Sequence, residues 1–146
     1  ERVSALTGEA KRLEGEIAEL IRAHRPALLQ ETGCGPLCAA ILIGHTAGAE
    51  RFAGDAQFAR MAGVAPIPAS SGRTQRHRLH RGGDRQLNHA LHVIALTRSR
   101  LDPETRAYLA RKRAEGKSHR EAMRCLKRHL ARRFHRLLLD PSSSSS

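Results

Sequence analysis

Tryptophan is absent from these 146 residues, and one tyrosine and three phenylalanines are the whole aromatic complement. Proteins that grip unpaired strands by stacking bases on successive rings need more rings than that, so an aromatic single-strand platform is not the main theme. Acids are scarce as well: 14 Asp and Glu stand against 26 Lys and Arg, a formal net charge of +12. An excess of that size goes beyond what solubility needs and suits a phosphate-rich partner, nucleic acid first. No run approaches the roughly 18 apolar residues of a membrane span, and none reads as a secretory signal. The expected location is therefore cytoplasmic, with no membrane partner. Cysteine is limited to Cys34, Cys38 and Cys125, an odd number without a secretory signal, so no disulfide framework is expected and all three read as reduced. The first residue is Glu, not Met, and a helical pattern is already under way there, which reads as a piece of a longer protein. A chain of this length suffices for one domain plus an appendage.

With few rings, the core falls to Leu, Ala and Ile, and their spacing outlines an all-α protein. Val3, Leu6, Ala10, Leu13, Ile17, Leu20 and His24 follow one another at steps of three and four among charged residues, a heptad seam. Residues 1–27 are thus expected to be a coiled-coil or linker helix, ended by Pro26 and joining copies of the chain through residues 1–25. In "ETGCGPLC", residues 31–38, a Gly-x-Gly-Pro turn precedes a short apolar helix stopped at Gly44. Such a turn offers amide groups at a helix N-terminus, and its spacing resembles the helix-hairpin-helix element, so Gly33 and Gly35 are candidate phosphate contacts.

Further along, Asp55 is placed to cap a helix over Phe58 to Ala62 that stops at Gly63, and Asp84 to cap an apolar central helix from Leu87 to Leu96. Asp102-Pro103-Glu104 starts another helix, Gly116 stops it, and Ser118 with Glu121 forms a capping box for the last. That last helix turns Ala122, Leu126, Leu130, Phe134 and Leu137 or Leu138 inward. Its other side carries Arg120, Arg124, Lys127, Arg128, Arg132 and Arg136, and Glu121 is the one acid between Ser118 and Leu139. A solvated face usually mixes the two signs, so this stripe reads as a phosphate contact surface. The domain is expected to span 28–139, with 140–146 a disordered, serine-rich tail.

Nine histidines raise the question of metal. Cys34-x-x-x-Cys38 and His89-x-x-His92 fall at helical spacings, but neither CxxC nor HExxH occurs, and no metal site is expected. The histidines read as helix-surface and phosphate-contact residues, partly protonated near neutral pH.

The most concentrated chemistry lies in "PASSGRTQRHRLHRGGDRQL", residues 68–87. Proline and glycine break any long helix there, leaving a loop or short β-ribbon with Arg73, Arg76, Arg78, Arg81 and Arg85 against a single acid, Asp84. Those cations would hold a phosphodiester and offset charge building on a phosphorus under attack by Ser70 or Ser71. They cannot accept the serine proton at neutral pH. On residues alone, a nucleophilic serine and a plain phosphate-binding loop both remain open.

"TGCGPLCAAILIG", "RFAGDAQFARMAGVAPIPASSGRTQRHRLHRGGDRQLNHALHVIAL" and "RKRAEGKSHREAMRCLKRHLARRFHRLL", taken together and in order, resemble the C-terminal domain of DEDD-type insertion-sequence transposases. These are relatives of Piv-type site-specific DNA invertases and are now often called bridge-RNA-guided recombinases. The resemblance runs from about residue 30 to 139 and implies a bacterial, nucleoid-associated enzyme acting on DNA with a guide RNA. In that family a RuvC-like N-terminal domain holds Mg2+ on four acids, a coiled coil links it to the C-terminal domain and helps assemble a multimer, and a Ser-Gly serine forms a covalent phosphoserine intermediate with DNA.

Carried onto this sequence, the nucleophile is Ser71, with Ser70 as the fallback. The family's usual Gly-Asn-Arg is here Gly83, Asp84 and Arg85; an Asp caps a helix as Asn does, but its charge argues against phosphate contact at that position. The magnesium-binding acids have no counterpart, so no cofactor is expected on this chain and Mg2+ is expected in the N-terminal domain. Alone, the chain would bind nucleic acid without completing cleavage. The rival from another class is a non-catalytic helical DNA- or RNA-binding module in which Ser71 is only a turn residue; a basic ribosome-associated protein is a third reading.

Overall fold

The computed structural model describes residues 2–46, 54–64 and 84–139. Seven helices and no strand make up the described residues. In chain order they are α1 (Arg2–His24), α2 (Pro26–Leu29), α3 (Pro36–Thr46), α4 (Asp55–Met61), α5 (Arg85–Leu101), α6 (Pro103–Ala114) and α7 (His119–Leu139).

Helix boundaries follow local chemistry. Arg25, at φ −143° and ψ 61°, breaks α1 from α2, and Pro26 takes the first position of the new helix, where its missing N–H costs nothing. Glu121 N donates to Ser118 Oγ at 3.1 Å, closing the first turn of α7. Gly63 and Gly116 adopt φ of +74° and +97°, the left-handed turn that ends α4 and α6.

Two boundaries differ from expectation. Gly54, not Asp55, occupies the N-cap of α4, and Asp55 is the first helical residue. Helix α3 passes through Gly44 to Thr46; an interior glycine costs a helix only about 1 kcal/mol, and the following His45 finds a partner on α5's cap, Asp84.

Helix α5 is the centre of the domain. Leu87, Ala90, Leu91, Ile94 and Ala95 are buried along it, and α3, α6 and α7 pack around it. Helix α4 lies on α7, where Phe58 stacks on the buried ring of His135 at a centroid distance of 5.0 Å. From α7, Ala122, Leu126, Leu130, Phe134 and Leu138 enter the same core.

Helix α1 joins this core only by its last turns. Ala18 and Ile21 are buried against the domain, whereas Val3, Leu6, Leu13 and Leu20 remain exposed. At the α1–α2 corner the Arg25 guanidinium donates to the Leu138 carbonyl at 3.0 Å, satisfying one of the orphan acceptors at the end of α7.

A carboxylate in the middle of the chain locks the layers together. Glu31 receives Arg98 Nη2 at 3.0 Å and Arg133 Nη2 at 2.9 Å, while Arg98 Nε also donates to the Thr32 carbonyl at 2.8 Å. One acid thus ties the turn after α2 to both α5 and α7. The Arg133 hydrogen bonds, prevailing over burial and aided by Arg98, hold the Glu31 carboxyl below the ordinary glutamate range.

Candidate nucleic-acid interface

The Gly-x-Gly-Pro turn is positioned by α5. Gly33 has φ +84°, and a Cβ there would stand 3.0 Å from the Ile94 carbonyl oxygen and 3.2 Å from Thr97 Cβ. Only a residue without a side chain fits so close to the helix in that conformation. Gly35 is exposed, with open space where its side chain would be. Of the two glycines, Gly33 has a packing reason to be there and Gly35 has none.

The two segments flanking residues 65–83 are fastened side by side. Asp84 N donates to the Met61 carbonyl at 2.5 Å, and Asn88 Nδ2 donates to the Ala62 carbonyl at 2.9 Å. Asp84 is also the expected cap of α5: its Oδ1 accepts from Gln86 N at 2.9 Å and Leu87 N at 3.0 Å. Its Oδ2 meets His45 Nδ1 at 2.8 Å. Burial works against the charged form, but the Leu87 amide and His45 prevail and hold the carboxyl below the ordinary aspartate range. The end of α4, the end of α3 and the start of α5 therefore form one hydrogen-bonded pedestal. Ser70, Ser71, Arg73, Arg76, Arg78 and Arg81 belong to the segment between its posts and lie outside the described residues. Arg85, the first residue of α5, is exposed beside Asp84.

Residues four apart advance about 40° around an α-helix, so the basic stripe of α7 drifts slowly across its face, reaching the α6 side at Arg132 and Arg136. Arg120, Arg124, Arg132 and Arg136 are exposed. Arg128 is half-buried, with Nη2 3.2 Å from Cys125 Sγ. At the α6 edge a groove of about 970 Å³ is lined by Arg111, Arg132, Arg133 and Arg136 above Leu126 and Leu130. Tyr108 stands edge-on to His129 in the same groove, 5.1 Å between centroids.

Lys127, also on α7, is half-buried. Burial and the neighbouring Arg124 charge push its pKa down, with no carboxylate to offset them. For His92 on α5, burial first, then Lys127 and His89, hold the pKa below the ordinary histidine range. Burial followed by Arg132, Lys112 and Arg128 does the same to His129. For these two histidines, neighbouring cations and desolvation both act against a charged ring.

The described residues contain no group of three or more His, Cys, Asp or Glu placed to hold a metal ion, and no helix among them is long and apolar enough to cross a membrane. Cys34, Cys38 and Cys125 are buried free thiols.

Sequence comparison gives this arrangement its context. Residues 25–110 match the model of the transposase IS116/IS110/IS902 family. The chain belongs to that transposase family. It is 37% identical over 125 residues to the insertion element IS110 uncharacterized 43.6 kDa protein of Streptomyces coelicolor, covering 83% of this chain and 31% of that one. It is 38% identical over 130 residues to the insertion element IS900 uncharacterized 42 kDa protein of Mycobacterium paratuberculosis, covering 86% of this chain and 33% of the relative. The chain thus spans about a third of the length of these relatives. The family match takes in the pedestal and the segment it bounds but stops within α6, so the arginine face of α7 lies beyond it.

Proposed function

We propose that this chain is the serine-bearing, nucleic-acid-binding part of an insertion-sequence transposase. The observation that carries the reading is that the family match spans Ser71 together with the arginine-dense segment, whose flanks are joined at the Met61–Asp84 pedestal. Ser71 Oγ attacks a DNA backbone phosphorus. A serine–phosphorus bond forms, the phosphorus–oxygen bond to the departing strand breaks, and the departing oxygen leaves with a proton. Arg73, Arg76, Arg78, Arg81 and Arg85 hold the phosphodiester and balance the charge that gathers on its oxygens.

The serine proton needs an acceptor that arginine cannot be. Glu31 is committed to two arginines, Asp84 to a helix cap and His45, and Asp102 Oδ2 to the Thr105 hydroxyl at 2.6 Å. With their oxygens engaged in this way, these carboxylates do not fit Mg2+. The acceptor, and any magnesium, belong to another part of the transposase polypeptide.

DNA is the substrate and a structured guide RNA the proposed second partner. Arg120, Arg124, Lys127, Arg128 and Arg132 bind backbone phosphates along α7. The α2–turn–α3 unit serves as a helix-hairpin-helix-like contact through Gly35. Residues 1–27 are the coiled-coil or linker segment, whose helix α1 pairs copies of the chain through its exposed Val3, Leu6 and Leu13, and residues 28–139 form the transposase domain.

The test is Ser71→Ala in the full-length polypeptide supplied with metal, DNA and the RNA that copurifies with it. The expected result is unchanged DNA binding and complete loss of covalent protein–DNA adduct, with Ser70→Ala retaining it. Adduct surviving in Ser71→Ala but lost in Ser70→Ala moves the nucleophile by one residue; adduct surviving in both ends the catalytic reading.

A further inference from the structure

The groove between α6 and α7 gathers side chains that core packing does not require. Its volume of about 970 Å³ falls within the roughly 300–1,000 Å³ of ordinary small-ligand sites. The single tyrosine of the chain, Tyr108, lines it and is half-buried. His129 of α7 stands edge-on to that ring at 5.1 Å between centroids, and the Arg111 guanidinium and Lys112 ammonium lie 5.9 Å and 5.5 Å from its centre. A cation within about 6 Å of a ring centre is attracted to it, so Tyr108 holds groups from both helices at one place. Arg111, His129 and Arg132 are exposed there, while Leu126, Leu130 and Leu137 supply an apolar side. Charge along the groove is uneven. Asp102 and Glu104 line it at the start of α6, and Arg111 stands about two turns and 10 Å past Glu104 along the same helix. Arg98 and Arg133, which also line it, are fastened to Glu31. An anion is therefore repelled at the first turn of α6 and received beside Tyr108 and Arg111.

We propose that this groove holds one unpaired DNA strand, with its phosphates on Arg111 and Arg132 and a base lying against the Tyr108–His129 pair beside the leucines. A duplex keeps its base faces inside and offers phosphates to a surface arginine, which needs no ring and no apolar side to meet them. An unpaired nucleotide also presents a flat face, and tyrosine, histidine and arginine planes are what such a face stacks on. Rim cations, two rings and an apolar side together match that second chemistry. This inference rests on the transposase reading above: cutting a DNA backbone leaves a strand that has to be held until it is rejoined.

Composition supplies the probe. With one tyrosine and no tryptophan, the intrinsic fluorescence of the chain is that of Tyr108. A single-stranded oligothymidylate is expected to quench it on binding, and a duplex DNA of equal length to leave it unchanged. Affinities for both, and for an oligouridylate, are measured by fluorescence anisotropy over a salt series, each variant being checked for an unchanged helical circular dichroism spectrum. Arg111→Gln is expected to reduce the magnitude of the single-strand salt slope by about 0.7 and to leave the duplex slope as it was. His129→Ala and Tyr108→Leu are expected to weaken single-strand binding about tenfold, while Tyr108→Phe, which keeps the ring, binds like wild type.

Losses confined to the oligouridylate overturn the assignment to DNA. Equal losses on duplex and single strand overturn the assignment to an unpaired strand. If the wild-type chain binds DNA without quenching of Tyr108 and the variants match it in affinity and salt slope, the groove is not the site and the broader reading stands. Failure of the wild-type chain to bind any of the three nucleic acids overturns both.

Discussion

Arg133, near the end of the last helix, donates from Nη2 to Glu31 Oε2 at 2.9 Å across 102 positions of sequence. Because Arg98 donates to the same carboxylate, Glu31 is the joint between the turn before α3 and the two longest-range partners of that turn. Glu31→Gln should lower stability by about 1–3 kcal/mol, read as a lower urea midpoint at neutral pH. The pH dependence has a definite sign. The folded carboxyl titrates below its unfolded value of about 4.3, so its stabilisation is present in full above that value and disappears as pH falls through the folded pKa. Wild type and Glu31→Gln should converge in acid; a constant gap down to strongly acidic pH would mean that the ion pairs contribute nothing.

Asp84 is held by three different partners, and substitutions can separate them. Asp84→Ala removes the cap on Gln86 and Leu87 and the contact to His45, with an expected cost of about 1–2 kcal/mol. Asp84→Asn retains an oxygen for the cap and loses only the charge, so it should fall between the two. The backbone bond from Asp84 N to Met61 survives in both variants. Thermal melts ranking Asp84→Ala level with wild type would rule out the side chain as a post of the pedestal. The carboxyl is held below its ordinary range by the Leu87 amide and His45 against the pull of burial, so the gap to Asp84→Asn should shrink only as pH drops through that lowered value.

Helices with strong local punctuation were legible in advance: Ser118, Gly116 and Gly63, and Asp84 as a cap, act where their chemistry places them. So was the core face of α7, since an apolar stripe at helical spacing needs no tertiary information. What could not be read is the long-range polar wiring. Nothing near Glu31 in sequence singles out Arg98 and Arg133 as its partners, and Asn88 looks like an ordinary helix-surface amide until Ala62 is found beside it. The lowered pKa values of His92 and His129 depend in part on cations brought up from another helix, Lys127 for the first and Lys112 for the second. Gly54 and Gly44 mark the limit of local rules: one caps where an Asp stood next to it, the other is carried through a helix whose neighbours pack well.

Gly33 and Gly35 have equal claims in sequence and opposite ones in space. Gly33→Ala must either leave φ +84° or press a methyl against the Ile94 carbonyl, so it should destabilise the domain by roughly 1–3 kcal/mol. Gly35→Ala meets open space and should leave the melting temperature near wild type. If Gly35 lies at a phosphate, Gly35→Ala weakens nucleic-acid binding without touching stability, a combination that Gly33→Ala cannot produce.

Cys34 tests whether the turn stays closed. Burial first, then the neighbouring Cys38 and Glu31, push its thiol up to about 12, and only the thiolate reacts. At pH 8 an aromatic disulfide reagent should leave Cys34 unmodified in the native protein and label it promptly in urea. Stoichiometric labelling of Cys34 under native conditions would show that the turn between α2 and α3 opens on the timescale of the reaction.

The first two-thirds of α1 make a cleaner experiment than their exposure suggests. Gly8 and Gly15 both sit in the helix with nothing within 4 Å of where a Cβ would be, so Gly8→Ala and Gly15→Ala should each strengthen the helix by about 1 kcal/mol without altering any contact. If that helix pairs with a second copy through Val3, Leu6 and Leu13, stiffening it lowers the ordering cost of association, and the double alanine variant should dimerise at lower concentration in sedimentation experiments. Leu6→Asp with Leu13→Asp should abolish the dimer while leaving the melting of the domain unchanged, since neither leucine is part of its core. A dimer that persists in the aspartate variant would place the contact between copies elsewhere; a monomer in every variant would leave the seam as an exposed helix face braced only weakly by Arg12 between Glu9 and Glu16.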